Sequence, residues 1–348
     1  MRVLIVDDSA LMRRWLKECF ASEPGVETAT ARDGEDALAK IAAFDPDVIT
    51  LDINMPVMDG LTCLAKIMSV APRPVVMVSS LTEKGALATF EALELGAVDY
   101  IPKPSGTVSH DLKLVFPEIV SKVRAAARAR VSRRQAGGAA VPRPAPTPTA
   151  IPSRGNATAD LVLIGSSTGG PRALEEVLFR LDSSFPAPIL IAQHMPRRFT
   201  RVFAERLTAQ GQLPVQEVTS ATELLPGRAY LAQGDADVQV ARRGVRLVAT
   251  SVPADLDLTW NPSVNRMVDT ALAHVPPKRL IGVLLTGMGD DGAAAMTRLR
   301  TSGGRTIAQS EATSAIFGMP RELIAMGGAE RVVDIDKIAG AVARMVQS

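Results

Sequence analysis

The sequence predicts two doubly wound α/β units joined by a linker, in a chain of 348 residues. Three observations carry this reading. Short apolar runs alternate with segments of helical period in both parts of the chain, the pattern of parallel sheets covered on both faces. Between the two parts, Gly137, Gly138 and the five prolines from Pro142 to Pro152 break the alternation. On each side of that break, residues suited to chemistry directly follow apolar runs, at the carboxyl edge where such sheets collect ligands.

In residues 1–104 the strand candidates are 3–6, 26–30, 48–51, 75–78 and 99–101. Helical patterns fit 11–20, 34–43, 60–70 and 84–95. Residues 105–157 read as a connecting segment: a helical pattern over 112–131 carrying Lys122, Arg124, Arg128 and Arg130, then an extended Pro-rich stretch. In residues 158–348 the strand candidates are 161–164, 188–192, 215–217, 228–231, 247–250, 280–285, 305–308 and 331–333, with a helix over 171–181. A larger doubly wound parallel sheet is expected there.

Composition narrows the class. The net charge is +2, but Lys and Arg number 10 against 16 Asp and Glu in residues 1–104, and 9 against 2 in residues 105–157. The basic excess therefore sits in the connecting segment and not on a folded face, which argues against nucleic acid as a partner. Cys19 and Cys63 are the only cysteines and read as core residues, with no disulfide framework or metal spacing. The first apolar run is too short for a signal peptide, and no stretch approaches the roughly 18–20 apolar residues of a membrane span. A cytoplasmic, membrane-independent protein is expected. With no heptad or exposed apolar run standing out, the expected state is a monomer.

The first unit carries an ordered set of polar strand ends: Asp7 and Asp8 after the first strand, Asp52 after the third, Ser79 after the fourth and Lys103 after the fifth, with Tyr100 three residues before Lys103. Three clustered carboxylates repel one another and suit a hard divalent cation such as Mg²⁺. A hydroxyl and an ammonium beside them can hold phosphoryl oxygens. An Asp pair at a strand end is by itself more often a helix cap. It is the whole ordered set that points to phosphoryl transfer onto a carboxylate.

The second unit carries Gly165-Ser166-Ser167-Thr168-Gly169 between a strand and a helix candidate, the context in which a G-x-S-x-G turn presents a nucleophilic serine. Ser167 is the central serine, and Ser166 the alternative. His194 follows the next strong strand candidate, 27 residues after Ser167. His110 lies in the connecting segment, and His274 near a helix end, where capping is the simpler role. An acid to orient the histidine is offered by Asp290 or Asp291, in Thr286-Gly287-Met288-Gly289-Asp290-Asp291-Gly292 after another strand candidate. The same loop matches a dinucleotide fingerprint, with Glu311 about 20 residues on, but that reading leaves Ser167 and His194 without a role.

Residues 1–104 resemble the receiver domain of two-component response regulators. The phrases Ile-Gly-Ser-Ser-Thr-Gly-Gly, Gln-His-Met-Pro, Leu-Thr-Gly-Met-Gly-Asp-Asp-Gly-Ala and Phe-Gly-Met-Pro-Arg-Glu resemble chemotaxis-specific protein-glutamate methylesterases, and the receiver–linker–hydrolase order matches. The resemblance implies a flavodoxin-like (βα)5 receiver joined to a Rossmann-like hydrolase domain over 158–348. In the receiver it implies Asp52 as phosphoacceptor, Asp7 and Asp8 as Mg²⁺ ligands with it, Ser79 and Lys103 as phosphoryl-binding groups, and Tyr100 as the switch aromatic. In the hydrolase it implies Ser167 as nucleophile, His194 as general base and acid, Asp291 as the orienting acid and the Met288 N–H as oxyanion donor.

The implied activity is hydrolysis of glutamyl methyl esters on chemoreceptors, with deamidation of glutamines as related chemistry and no cofactor for ester hydrolysis. A chemotaxis histidine kinase is the implied phosphodonor. The unphosphorylated receiver is expected to restrain the hydrolase, and phosphorylation to release it. Two stretches depart from the family pattern. Gln233 and Asp237 fall where many members read Ala-Pro-Gly-Asp-x-His-Met, and Asn261 and Asn265 where they read Arg-Pro-Ser-Val-Asp. Besides the dinucleotide reading, an interaction module without turnover is the remaining alternative.

Overall fold

The computed structural model describes residues 1–80, 82–103, 116–129, 159–255 and 257–347. The chain divides into two compact units, with the division between Ala139 and Ala140. His110 and the Pro-rich stretch lie outside the described residues.

The first unit alternates β1 (Arg2–Val6), α1 (Ala10–Ala21), β2 (Glu27–Ala31), α2 (Gly34–Phe44), β3 (Val48–Asp52), α3 (Gly60–Val70), β4 (Val75–Ser79), α4 (Glu83–Leu95), β5 (Asp99–Pro102) and α5 (Phe116–Ala126). Its sheet runs β2-β1-β3-β4-β5, with every pair parallel. That is the flavodoxin-like order, which brings the ends of β1, β3, β4 and β5 to one edge. Each of the first four helices starts at a polar cap: Ser9, Asp33, Asp59 and Thr82 accept from the N–H groups of Met12, Asp36, Thr62 and Gly85.

One expectation changes here. The helix expected over 112–131 is described as Phe116–Ala126, and it is part of the first unit's core, not of a connecting segment. Ile119, Val120, Val123 and Ala126 are buried with Trp15, Leu16 and Phe20 of α1, and the Phe116 ring meets Trp15 edge-on at 5.5 Å. The basic residues on this helix obscured its apolar face. The first compact unit therefore runs past residue 104.

In the second unit, β6 (Leu161–Ser166), α6 (Gly170–Leu178), β7 (Ile189–Gln193), α7 (Arg197–Gln210), β8 (Val215–Val218), β9 (Thr222–Glu223), β10 (Ala229–Ala232), β11 (Ala236–Arg243), β12 (Arg246–Pro253) and α8 (Val264–His274) precede β13 (Leu280–Leu284), α9 (Ala293–Thr301), β14 (Arg305–Gln309), α10 (Met319–Ala325), β15 (Arg331–Val333) and α11 (Ile335–Gln347). Seven strands make a parallel sheet in the order β15-β14-β13-β6-β7-β10-β8. The chain moves from β6 to β7 on one side and returns later to place β13 on the other. The carboxyl end of β6 is thus the switch point of the sheet, where its crevice opens.

The strand expected over 247–250 is not in that sheet. It lies within β12, which pairs antiparallel with β11 and with β9 in a separate three-stranded sheet. Strand β11 lies outside the strand candidates; along it Val238 and Val240 are buried and alternate with the partly exposed Gln239 and Ala241. The two-residue turn Gly244-Val245 closes the hairpin, with Gly244 at φ 62°, the positive value the first turn position requires. α8 packs on β11, joining this small sheet to the core of the large one.

A strained residue sits in the loop after β3. Val57 has φ 66°, and the Met58 N–H donates to the Pro56 carbonyl at 2.7 Å across it, a positive-φ γ-turn. The turn sends Met58 inward under Gly34 and leaves Val57 76% exposed. A β-branched residue there is held at a cost of about 1–2 kcal/mol. Val57→Gly is expected to raise the unfolding free energy of the first unit by about 0.5–1 kcal/mol, the strain relief outweighing the added chain entropy. The urea midpoint measures this.

Candidate active site and phosphoacceptor site

Strands β13, β6 and β7 are neighbours, and the loops that leave their carboxyl ends carry Asp291, Ser167 and His194. The main chain stitches these loops together. The Ser167 N–H donates to the Thr286 carbonyl at 3.0 Å, and the His194 N–H to the Ser166 carbonyl at 3.1 Å. Gly287 lies so close to Ser167 that a Cβ there would sit 2.8 Å from the Ser167 Cβ and 2.2 Å from the Met319 sulfur, so the loop needs a glycine at this point.

The two serines of the turn differ. Ser166 is fully buried and its Oγ donates to Gln193 Oε1 at 2.7 Å, a structural bond. Ser167 is 7% exposed and lies against Gly287. Gln193 organises both catalytic loops, its Nε2 donating to the carbonyls of Ser167 and His194 at 3.0 Å each. Sequence reasoning did not single it out, although it directly precedes His194.

Asp290 and Asp291 part company as well. Asp290 is exposed, whereas Asp291 is 4% exposed and accepts four hydrogen bonds. Its Oδ2 meets His194 Nε2 at 2.9 Å and the Val264 N–H at 2.7 Å; its Oδ1 takes the Asn265 N–H at 3.0 Å and Ser263 Oγ at 3.2 Å. The carboxylate thus caps the N-terminus of α8 while holding the imidazole. Burial would raise its pKa, but the His194 bond and charge and the two amides outweigh that and hold it below the ordinary carboxylate range. With Nε2 on Asp291, the Nδ1 of His194 is the nitrogen left without a protein partner, and it is buried. Asp291 therefore selects the tautomer with its proton on Nε2 and leaves Nδ1 as the basic nitrogen.

His274 stands apart, exposed at the end of α8 with its carbonyl accepting from Arg242 Nε. The Gly287 N–H is engaged by the Ile316 carbonyl, and the Gly287 carbonyl by the N–H groups of Gly318 and Met319, so the 316–319 segment covers the glycine-rich loop. Glu311 lies in a 3-10 turn after β14. The departures from the family pattern make separate polar contacts. The fully buried Asp237 pairs with Arg266 at 2.8 Å, and Asn265 Oδ1 accepts the Ala295 N–H. Gln233 is buried within 3.5 Å of Ser251 Oγ.

In the first unit, Asp7, Asp8 and Asp52 offer carboxylate oxygens that all lie within 4.8 Å of one another. Lys103 Nζ stands between Asp7 and Asp52, at 3.0 and 2.8 Å. Burial pushes Asp7 and Asp52 above the ordinary carboxylate range, Asp7 also through the neighbouring Asp52 charge. Burial works against the Lys103 charge, but its bonds to Asp52 and Asp7 prevail and raise its pKa. Ser79 is buried with its Oγ on the Gly85 carbonyl at 3.1 Å. Tyr100 is buried too, with Lys122 Nζ 5.5 Å from its ring centre. All the expected receiver residues thus lie in or behind one edge of the sheet.

A five-stranded receiver fold with an acidic edge, and a larger parallel sheet with serine, histidine and aspartate at its switch point, define the class: a receiver-linked hydrolase. Comparisons with known proteins agree. A CheB methylesterase family model matches residues 162–342, and a response regulator receiver domain model matches residues 3–110. A protein-glutamate methylesterase/protein-glutamine glutaminase of Rhodospirillum rubrum is 53% identical over 97% of this chain and 94% of its own length. One from Rhodopseudomonas palustris is 52% identical over 98% and 97%. The crystal structure of the Thermotoga maritima CheB methylesterase catalytic domain covers 54% of this chain and 99% of its own, at 35% identity and a TM-score of 0.52. The chain belongs to the CheB methylesterase family, with an N-terminal response regulator receiver domain.

Two predictions follow from the Asp291 and Gln193 geometry. The Asp291 pKa is depressed on folding, so its stabilising contribution is complete above the ordinary carboxylate range and is lost as pH falls through the lowered value. Asp291→Asn is expected to lower the unfolding free energy at pH 7 by about 1–3 kcal/mol and flatten its acid dependence, as read by urea titrations from pH 3 to 7. Gln193→Leu removes the side-chain donor to the His194 carbonyl and the acceptor of the buried Ser166 hydroxyl, while the Ser167 carbonyl keeps the Gly170 N–H, and is expected to lower the unfolding free energy by about 1–3 kcal/mol in the same assay.

Proposed function

We propose that this protein hydrolyses γ-glutamyl methyl esters on the cytoplasmic helices of chemoreceptors, releasing methanol, and deamidates receptor glutamines at the same site. The observation that carries the reading is the His194–Asp291 pair at 2.9 Å on loops adjoining the Ser167 turn, in a chain of this family. Ser167 Oγ attacks the ester carbonyl while His194 Nδ1 takes its proton. The oxyanion that forms is assigned to the Met288 N–H, the donor that the family resemblance implies. Methanol departs with the proton from Nδ1, leaving an acyl-Ser167. Water then attacks, giving its proton to Nδ1, and its oxygen becomes part of the released glutamate carboxylate as Ser167 is restored. Asp291 holds the ring and balances its charge in both halves.

Control comes from the receiver. Asp52 accepts a phosphoryl group from a chemotaxis histidine kinase, and Lys103 Nζ and Ser79 Oγ turn to its oxygens. Asp7, Asp8 and Asp52 form a hard oxygen donor set suited to Mg²⁺, which when bound neutralises charge on the transferred group. Tyr100 moves with that change, and the receiver ceases to restrain the hydrolase. Among the described residues no helix is long and apolar enough to cross a membrane, and a cytoplasmic location fits the receptor domains acted upon.

Methanol release from a methylated chemoreceptor cytoplasmic fragment tests the chemistry. Release is expected to rise with acetyl phosphate and Mg²⁺ and to fall by about three orders of magnitude or more in Ser167→Ala. Full activity in Ser167→Ala would sink the triad assignment. Asp52→Asn is expected to keep the basal rate and lose the response to the phosphodonor. Mg²⁺ at roughly ten to a hundred times its dissociation constant should stabilise the receiver by about 1–3 kcal/mol, an effect absent from Asp7→Asn in thermal melts.

A further inference from the structure

Trp260 lies on His194. The indole and imidazole rings are stacked, 5.2 Å between centres and 3° between planes. Trp260 also borders the glycine-rich loop: a Cβ on Gly289 would touch the indole at 3.4 Å. The residue belongs to the loop between β12 and α8, and both ends of that loop are held by one carboxylate. Asp237 Oδ2 accepts the Asp255 N–H at 3.1 Å, and Asp237 Oδ1 accepts the Ser263 N–H at 2.8 Å. Arg266 neutralises the buried Asp237 at 2.8 Å and reaches Asp255 at 3.7 Å. The loop is therefore a strap closed at its base by Asp237, with Trp260 between its fixed ends.

We propose that Trp260 is a positioning residue for His194, and that Asp237 acts through it by closing the strap. This rests on the reading of His194 as the proton-transferring base. One edge of the His194 ring is held by the bond from its Nε2 to Asp291 Oδ2; rotation about that bond is what a flat stacked partner prevents. The indole face also favours the imidazolium that forms when Ser167 gives up its proton, since a cation over an aromatic face is stabilised most where water is excluded. His194 fits that condition, its side chain being 7% exposed. Both effects bear on the proton transfer and neither contacts substrate, so they belong to kcat and not to KM.

The full-length protein, activated with acetyl phosphate and Mg²⁺ and assayed for methanol release, decides the matter. Trp260→Leu is expected to lower kcat by about tenfold with KM changed less than about twofold, whereas Trp260→Phe, which keeps an aromatic face, retains about half the rate or more. Trp260→Met replaces the leucine variant if that one melts early. Asp237→Asn is expected to lower kcat in the wild-type background and to add little on top of Trp260→Leu, because both changes disable one device. Wild-type kcat in Trp260→Leu, equal losses in the leucine and phenylalanine variants, or additive losses with Asp237→Asn would each overturn the inference while Ser167→Ala remains inactive. An active Ser167→Ala would overturn the proposed function, and this inference with it.

Discussion

The carboxylate of Asp291 joins three parts of the second unit that are far apart in sequence. It leaves the end of β13, caps the first turn of α8 and holds the imidazole that leaves β7. A buried carboxylate on its own would be pushed toward its neutral form. Here the amides of the α8 N-terminus and the imidazole keep it ionised, so capping and chemistry are one interaction. The histidine tautomer and the orientation of α8 both depend on that charge staying where it is.

The same logic of sheet edges serves both units. In each, parallel strands bring loops from distant positions to one carboxyl edge, where backbone groups are unpaired and polar side chains can converge. The receiver uses the edge for like charges: Asp7, Asp8 and Asp52 are crowded together and only partly neutralised by Lys103. That crowding is unfavourable without a cation and makes the edge responsive to one. The hydrolase uses its edge for complementary groups: the Asp291 carboxylate is engaged by four donors, while His194 Nδ1 has no protein partner.

Around the hydrolase site, polar groups without a direct chemical role maintain the arrangement. Gln193 ties the Ser167 and His194 loops through two carbonyls and takes the Ser166 hydroxyl as well. Asp237, one of the departures from the family pattern, forms a charge pair with Arg266 behind the strap. Such buried pairs contribute little net stability but are strongly disruptive to break, which suits them to fixing geometry.

The alternation of apolar runs and helices, the strand-end positions of Asp7, Asp52, Ser79, Lys103, Ser167 and His194, and the resemblance of their motifs were legible in the sequence by itself. Local signals of that kind depend only on neighbours along the chain: side-chain period, caps and turn residues. Four things needed the tertiary structure. The helix Phe116–Ala126 joined the receiver core because its apolar face met Trp15 and Phe20, a contact no local pattern encodes. Strands β11 and β12 formed a sheet of their own because pairing is a choice among distant partners. Asp291 was separated from Asp290 by geometry, one turned into the core and the other to solvent, where the residue pattern alone left both open. Trp260 stacked on His194 belongs with these, since the two are 66 residues apart and meet only because Asp237 closes the loop that carries one of them.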